Sequence, residues 1–590
     1  MSTTAASILS GGEFLLASAE PSAIFTPERA TDEHRMIGDT VRDFVNGEVL
    51  PVLDRLEAKE WSLARDLVRR GAELGLMGAD VPEQYGGLGL DKVSSVVISE
   101  QISLSASFAA TFGAHANLVV LPLTLFGTEA QKQKYLPKLL SGEMVGAYCL
   151  SEPGSGSDAL GAKARATREP DGSFVLNGEK MWITNGGFAD LFVIFAKVDG
   201  EHFTAFLVER GFGGLTSGKE EHKMGLHGSS TTPIILQDVR VPAENLLGEV
   251  GKGHKIAFNV LNFARYKLGA MCGGGAAGSV GEAARYAATR KQFGVPIASF
   301  GAVAHKLGEM VVQTYAVQSL IYRTAGMIDA RIAATPHEAT DPSVTLASVE
   351  EYAVEASIAK VFGSEVMDFV LDENIQVHGG NGYVRDYPAE RHYRDSRVNR
   401  IFEGTNEINR LLIPGMLARR AVKGGLGLIA AAKALQEELL GPPSLPDTDD
   451  APLAEERRTV EQFKKASLMA LGLAMQTYRE KLADQQEVLI HIADMVIDTY
   501  AAESALLRAR AAAGRADAPL HACAARVFVN DAAMRIDASA RQALAAMLDG
   551  DTLRTMVAAL KRLFRQMPIN TAVLRRQLAD AAVAQGAYPF

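Results

Sequence analysis

With 590 residues and a hydrophobic content of 47%, the chain is long enough to fold as several domains, each with its own core. A net charge of -10 excludes a general nucleic-acid binder, which needs a basic face, but leaves room for a local basic site that meets a phosphorylated ligand. The three cysteines, Cys149, Cys272 and Cys523, lie far apart with no CxxC pair. Neither a disulfide framework nor a metal site is therefore expected, and a reducing, cytoplasmic compartment fits.

The first residues carry no basic region and meet acidic residues early, so neither a signal peptide nor an Arg-rich transit peptide is expected. No run of 18 apolar residues predicts a membrane-spanning helix. Residues 1–30 read as a mobile leader that ends at the helix-start pattern Thr26-Pro27-Glu28. Residues 31–147 read as an N-terminal helical domain, with Met36, Ile37, Val41, Phe44 and Val45 at helical spacings.

The texture changes at Tyr148, and residues 148–250 are rich in strand signals. Phe174-Val175-Leu176 and Met181-Trp182-Ile183 flank Asn177-Gly178, which predicts a hairpin turn there or one extended through Glu179-Lys180. Residues 191–198, 203–208 and 234–241 read as further strands. Helical texture returns over 251–420. Residues 421–452 read as a linker ending in the Pro-rich stretch 441–452, and 453–590 as an extra helical domain. The expected class is α+β and multidomain: a helical domain, a central β-barrel-like domain, a helical bundle and an extra helical domain. The absence of alternating βα texture argues against a doubly wound nucleotide fold.

Several segments carry chemistry. Tyr148–Asp158 (YCLSEPGSGSD) alternates small residues with turn formers, leaving backbone N–H groups free to wrap a flavin edge and a pyrophosphate. A plain polar loop is the other reading, and the segment is not a G-x-G-x-x-G fingerprint. In Met181–Gly187 (MWITNGG), Trp182 suits a flavin face and Thr184 a ring nitrogen, against a core Trp and an ordinary strand Thr. Arg290 in RKQF suits a phosphate, against a solvated helix end. Gln376–Gly382 (QVHGGNG) is a helix-ending turn whose His378 reads as structural. The glycines at 273–275 lack a following GK[ST] and read as close helix packing.

Arg400–Asn406 (RIFEGTN) places Glu403 between an aromatic residue and a glycine. Apolar neighbours raise a carboxyl's proton affinity, and Gly404 allows close approach, so Glu403 is a candidate general base. On these seven residues alone, a helix-entry Glu is the commoner role.

Taken in order, YCLSEPGSGSD, MWITNGG, LNFARYK (261–267), RKQFG, QVHGGNGY and RIFEGTN resemble the acyl-CoA dehydrogenase family over roughly residues 30–420. The added helical region, with GAHAN (113–117), ERGFGG (209–214), LGEVGKG (247–253) and KVFGSE (360–365), is similar to the very-long-chain branch of that family.

The resemblance implies non-covalent FAD and oxidation of the Cα–Cβ bond of an acyl-CoA, with electrons passing to an electron-transfer flavoprotein. It implies Glu403 as the α-proton base, since the alternative base position on 261–267 holds no carboxylate. It assigns flavin contacts to Tyr148, Ser151, Gly156, Ser157, Trp182 and Thr184, and to Thr405 and Glu407 after the base. Arg290, Gln292, Gln376, Gly379 and Gly380 would reach the flavin of a neighbouring subunit. Substrate contacts fall on Ser157, Leu261, Asn262, Arg265 and Gly404, with Arg265 meeting a polar part of CoA. Ala110 and Ala114 stand where medium-chain relatives carry polar residues that close the acyl cavity, so a deeper slot and long acyl chains are expected.

The branch also suggests a homodimer and a peripheral contact with the inner membrane surface through 459–478, where an apolar run, Leu468 to Met475, is flanked by Lys464, Lys465 and Arg479. A core or dimer-packing helix is the other reading of that segment. Two further functional classes share these motifs: a non-catalytic flavoprotein used as an assembly module, and an oxidase or monooxygenase that uses oxygen.

Overall fold

The computed structural model describes residues 8–336, 341–441 and 451–590. The N-terminal helices pack beside a central sheet, and both rest on long helices that continue into the extra domain.

The sheet's layout can be traced to strand parity. Strands β1 (Gly146–Cys149), β2 (Arg165–Arg168), β3 (Phe174–Thr184), β4 (Leu191–Val198), β5 (His202–Glu209), β6 (Leu215–Ser217), β7 (Thr231–Val241) and β8 (Leu246–Leu247) run in the order β6-β7-β3-β2-β4-β5-β8, with β1 parallel to β4. In β4, Leu191, Val193 and Phe195 pack against helical Val119, Leu123, Leu136 and Val260. Phe192, Ile194 and Ala196 face Leu176, Leu236 and Val239 across the curled sheet. Burial on both faces explains why β4 reads as a continuous apolar run. The path ends on β6 and β8, so the domain is a curled open sheet and not the barrel-like closure expected.

Asn177-Gly178 is not a hairpin turn. Both residues lie inside β3, where the register against β7 shifts between Leu176 and Gly178. Gly178 has φ +148°, and a Cβ there would stand 2.9 Å from Ala164 Cα. The glycine therefore permits close backbone approach opposite a bulge whose extra residue lies on β7, where Asp238 has φ +51°. The chain reverses earlier, at Glu169–Ser173, where Glu169 N–H donates to Ser173 O at 2.8 Å.

Helices Gly253–Thr289 and Ala353–His378 form the spine. Gly269 and Gly363 let them touch: a Cβ on Gly269 would lie 2.8 Å from Ala359 O. Gly274 similarly faces Glu100 O of the N-terminal domain at 2.2 Å, which agrees with the packing role expected for this glycine run. The stretch Ala106–Phe126 has the length and apolarity of a membrane span, but 83% of its most apolar 18-residue window is buried within the protein.

The extra domain does not sit apart. A single core joins Val311 and Leu320 of helix Gly301–Ala334, and Ile358 of the spine, to Val496, Phe528 and Leu578. Arg323 meets Glu503 at 2.7 Å and Arg575 meets Glu309 at 2.7 Å across this seam. The expected surface helix at 459–478 belongs to helix Ala454–Tyr478, which turns Leu468, Met469, Ala470, Leu471 and Ala474 into that core. Lys464 is itself buried and paired with Glu503. The apolar run is thus largely packing surface, the core reading of this segment.

Two boundaries also differ from expectation. Residues 8–30 are docked: Gly11 and Gly12 N–H donate to Glu351 and Glu355 at 2.9 and 2.7 Å, and the Phe14 ring lies 4.7 Å from Tyr500. Within 421–452, helix Leu428–Leu440 buries Leu428, Leu435 and Leu439, and residues 442–450 lie outside the described part.

Candidate active site

The helix after Glu403 sets the turn on which it stands. Thr405 caps helix Asn406–Val422, its Oγ1 accepting from Ile408 N–H at 3.2 Å, so Glu403 lies before the cap and is not the helix-entry residue. Glu403 has φ +57° and Gly404 φ +81°. A non-glycine residue in the left-handed region costs about 1–3 kcal/mol and persists only where the surroundings enforce it. Here Asn409 Nδ2 donates to Gly404 O and Thr405 O at 2.8 and 3.1 Å, and Arg265 Nε donates to Glu403 O at 3.3 Å. A Cβ on Gly404 would approach Asn409 Nδ2 to 3.1 Å.

These contacts hold the backbone and leave the carboxylate alone. Among the described residues, the Glu403 carboxylate accepts no hydrogen bond, and its backbone N–H finds no backbone acceptor. Burial pushes its proton affinity above that of an ordinary glutamate, while Arg265 and Lys360 pull it back.

Arg265 is 7% exposed, and its other arm donates to Asn262 Oδ1 at 3.1 Å. Burial lowers its pKa to about 10 despite the nearby Glu403 charge. Arg265 and Asn262 thus support the base turn. Lys360 is fully buried, donates to Asn406 Oδ1 at 2.6 Å, and is lowered by burial to about 8.

Beside Phe402, a cleft of about 370 Å³ of empty space, partly open to solvent, is bounded by Ala106, Ala109, Ala110, Leu268 and Met271. Ala110 lines it. Ala114 is buried one turn farther along helix Ala106–His115 and does not line it. Leu261 lies half-buried near the start of the Gly253–Thr289 helix.

The Tyr148–Asp158 segment leaves β1 and closes on itself through paired Glu152 and Ser155 backbones. Ser151 O accepts from Met181 N–H at 2.9 Å, which joins this loop to β3. Gly156 and Ser157 are exposed, and a Cβ on Gly154 or Gly156 would meet nothing within 4 Å. Tyr148 places a buried hydroxyl with no partner beside this loop, and its nearness to Glu403 adds to the burial that raises its pKa. Open glycine backbone and an unpaired buried hydroxyl suit a bound planar, phosphate-bearing group.

Trp182 is 61% exposed with φ +59°, so it is not a core residue, and Thr184 is half-buried two residues on. Asn185, at φ +64°, donates to Thr111 O and Gly146 O at 3.0 and 3.1 Å, tying the end of β3 to the N-terminal helices and to β1.

The remaining candidates gather on a second, exposed face. Arg290 caps the Gly253–Thr289 helix, Gln292 comes next in a short ribbon, and Phe293 is 94% exposed. Tyr286 OH donates to His378 O at 3.2 Å and stacks on its ring at 4.1 Å, which brings Gln376, Gly379 and Gly380 alongside. His378 Nδ1 lies 2.8 Å from Asn374 O, the structural role expected for it. Glu407 is exposed on the first turn after Thr405. Among the described residues, no hydrogen bond joins this face to the Tyr148–Thr184 group.

Sequence reasoning passed over Glu152, Lys180, Asn185 and Lys360. Lys180 Nζ meets Glu152 Oε1 at 2.6 Å, and Glu152 also accepts from Ala164 N–H at 3.1 Å. Strand parity was the available signal, because Phe174, Leu176 and Lys180 all fall on the buried face of β3. For Lys360 the signal was a lone cation in the apolar stretch Ser357–Phe362.

Comparisons with known proteins agree along the whole chain. The models of the acyl-CoA dehydrogenase N-terminal domain, middle domain and C-terminal domain match residues 31–143, 147–239 and 251–417, and a second C-terminal domain model matches 462–562. A probable acyl-CoA dehydrogenase of Bacillus subtilis is 47% identical over 98% of each chain. The human mitochondrial very long-chain specific acyl-CoA dehydrogenase is 42% identical over 60% of this chain and 54% of that protein. A crystal structure of an acyl-CoA dehydrogenase from Bacillus anthracis, complexed with FAD, superposes with a TM-score of 0.96 at 48% identity, covering 98% of this chain and 100% of that one. The chain belongs to the acyl-CoA dehydrogenase family, on the side of the very-long-chain branch.

Proposed function

We propose that this enzyme binds FAD and oxidises long-chain acyl-CoA to trans-2-enoyl-CoA, with Glu403 as the base and an electron-transfer flavoprotein as acceptor. The observation that carries this reading is a strained, half-buried carboxylate without a hydrogen-bond partner, next to an apolar cavity. FAD, when bound, supplies the acceptor for the hydride that leaves the β-carbon.

Residues of this chain do the rest. Glu403 takes the α-proton onto a carboxylate oxygen, and its raised proton affinity makes it a better base than an ordinary glutamate. Its free backbone N–H is available to the thioester carbonyl, where negative charge grows as the proton leaves. Arg265 and Lys360 keep the carboxylate ionised enough to act. Phe402, Leu268 and Ala110 exclude water and receive the acyl tail.

Tyr148, Ser151, Gly156, Ser157, Trp182 and Thr184 form the flavin cradle. Arg290, Gln292, Gln376, Gly379 and Gly380 serve the flavin of a second subunit. Exposure of Phe293 (94%) and Tyr383 (86%) on that face supports a homodimer contact.

Anaerobic mixing with palmitoyl-CoA tests the reading. The flavin should bleach, and C16 should outpace C8. Preference for C4 to C8 overturns the long-chain assignment, and peroxide release during aerobic turnover overturns the assigned acceptor.

A further inference from the structure

The extra domain reaches the base turn through an unbroken line of polar contacts. Asn406 and Arg410 are one helical turn apart on helix Asn406–Val422, so their side chains share the face turned to helix Ala353–His378. Glu365 of that helix receives both: Arg410 donates in a bidentate fork at 2.6 and 2.8 Å, and Asn406 Nδ2 donates to Oε1 at 3.0 Å. The carbonyl side of Asn406 accepts from Lys360 at 2.6 Å. At the far end, Arg410 Nε donates to Asp494 at 2.7 Å, and Asp494 lies on helix Gln486–Ala511 of the extra domain.

The charged and titratable groups acting on Glu403 come from three elements: Arg265 from the Gly253–Thr289 helix, Lys360 from Ala353–His378, and Tyr148 from β1. Only Lys360 is linked to the extra domain by this line of bonds. Its cation is fully buried, and its acceptor is the first residue of the helix after the base. A shift of Asn406 therefore moves both the cation and the turn.

We propose that the extra domain positions the catalytic base: Asp494 holds Arg410, and Arg410, Glu365 and Asn406 pass that constraint to Lys360 and the Glu403 turn. Asp494, Arg410 and Glu365 are positioning residues here and touch no substrate. The inference rests on Glu403 being the base.

The test uses the full-length flavoprotein. The rate of anaerobic flavin bleaching by saturating palmitoyl-CoA is followed against pH in Asp494→Asn, Arg410→Lys and Asp498→Asn. Asp498 lies one turn beyond Asp494 on the same helix, and its pairing with Arg535 stays inside the extra domain. If Lys360 draws away, the carboxylate loses a stabilising charge and its proton affinity rises. Asp494→Asn and Arg410→Lys should then move the acid limb upward by about 0.5 pH unit, a roughly threefold loss of rate on the acid side. Asp498→Asn should lower the thermal midpoint and leave the limb in place. Asp494→Glu, which keeps the carboxylate, should restore it.

An unmoved limb in Asp494→Asn, or an equal shift in Asp498→Asn, overturns the proposal. Should Asp494→Asn not fold, the limb is read in Arg410→Lys, and an unmoved limb there overturns it equally. Failure of the underlying base assignment looks different: Glu403→Gln would keep its turnover.

Discussion

Glu152 and Glu403 each have a buried lysine nearby, with opposite results. Glu152 touches Lys180 at 2.6 Å and also takes the Ala164 N–H. Burial alone would raise its pKa, but these partners outweigh burial and hold it below the ordinary value. Glu403 has Arg265 and Lys360 nearby, yet both spend their donors elsewhere: Arg265 on Asn262 and the Glu403 carbonyl, Lys360 on Asn406. Its carboxyl stays above the ordinary value. A contact pair makes a structural anchor. Cations kept at one remove leave a carboxylate able to take a proton.

The largest effect should come from removing the bare carboxylate. Glu403→Gln is expected to keep its yellow FAD and to lose flavin reduction by about 10²–10⁴-fold, the usual worth of a general base. Near-normal bleaching in a stopped-flow trace would erase the contrast between the two sites.

Breaking the anchor should act on stability instead. Lys180→Met strands a buried Glu152 and is expected to cost about 3 kcal/mol in urea unfolding, with loss of FAD. Adding Glu152→Gln should recover most of the stability. If Lys180→Met retained FAD and stability but slowed flavin reduction alone, the roles of the two sites would need to be exchanged.

The wall beside the base comes next. Ala110→Leu fills cavity space worth about three methylenes, near 0.8 kcal/mol each, so the C16-to-C8 rate ratio should fall roughly sixtyfold. An unchanged ratio would place the tail elsewhere.

The smallest effect is on the pH profile. A raised carboxyl is ionised only above its raised value, so wild-type flavin reduction should fall as pH drops through a limb lying above 4.5. Lys360→Met removes a charge that opposes the raise, and should move the limb up by about one unit. A downward shift would mean that Lys360 does not act on the base.

Much of the site was legible because chemistry and backbone demands coincide in short segments. Glu403-Gly404-Thr405 combines a carboxylate, a left-handed glycine and a helix cap within three residues. The glycines of 154–156 mark open backbone for the same local reason. Asn177-Gly178 misled because close backbone approach inside a sheet and a hairpin turn both call for a glycine, and only the pairing with β7 separates them. The apolar run in 459–478 left two readings open because apolar stripes facing lipid and facing a neighbouring helix look alike in sequence.

The sequence by itself determined the order of helical and strand regions, and it singled out the loop proposed for the flavin and the carboxylate proposed as the base. These rest on periodicity and on residues adjacent in the chain. Tertiary structure alone decided what surrounds that carboxylate. Arg265 lies 138 residues away and Lys360 forty-three, while Asp494 reaches the turn through Arg410 from the extra domain. Proton affinity depends on burial and on charges through space, and neither is written in the spacing of residues along the chain.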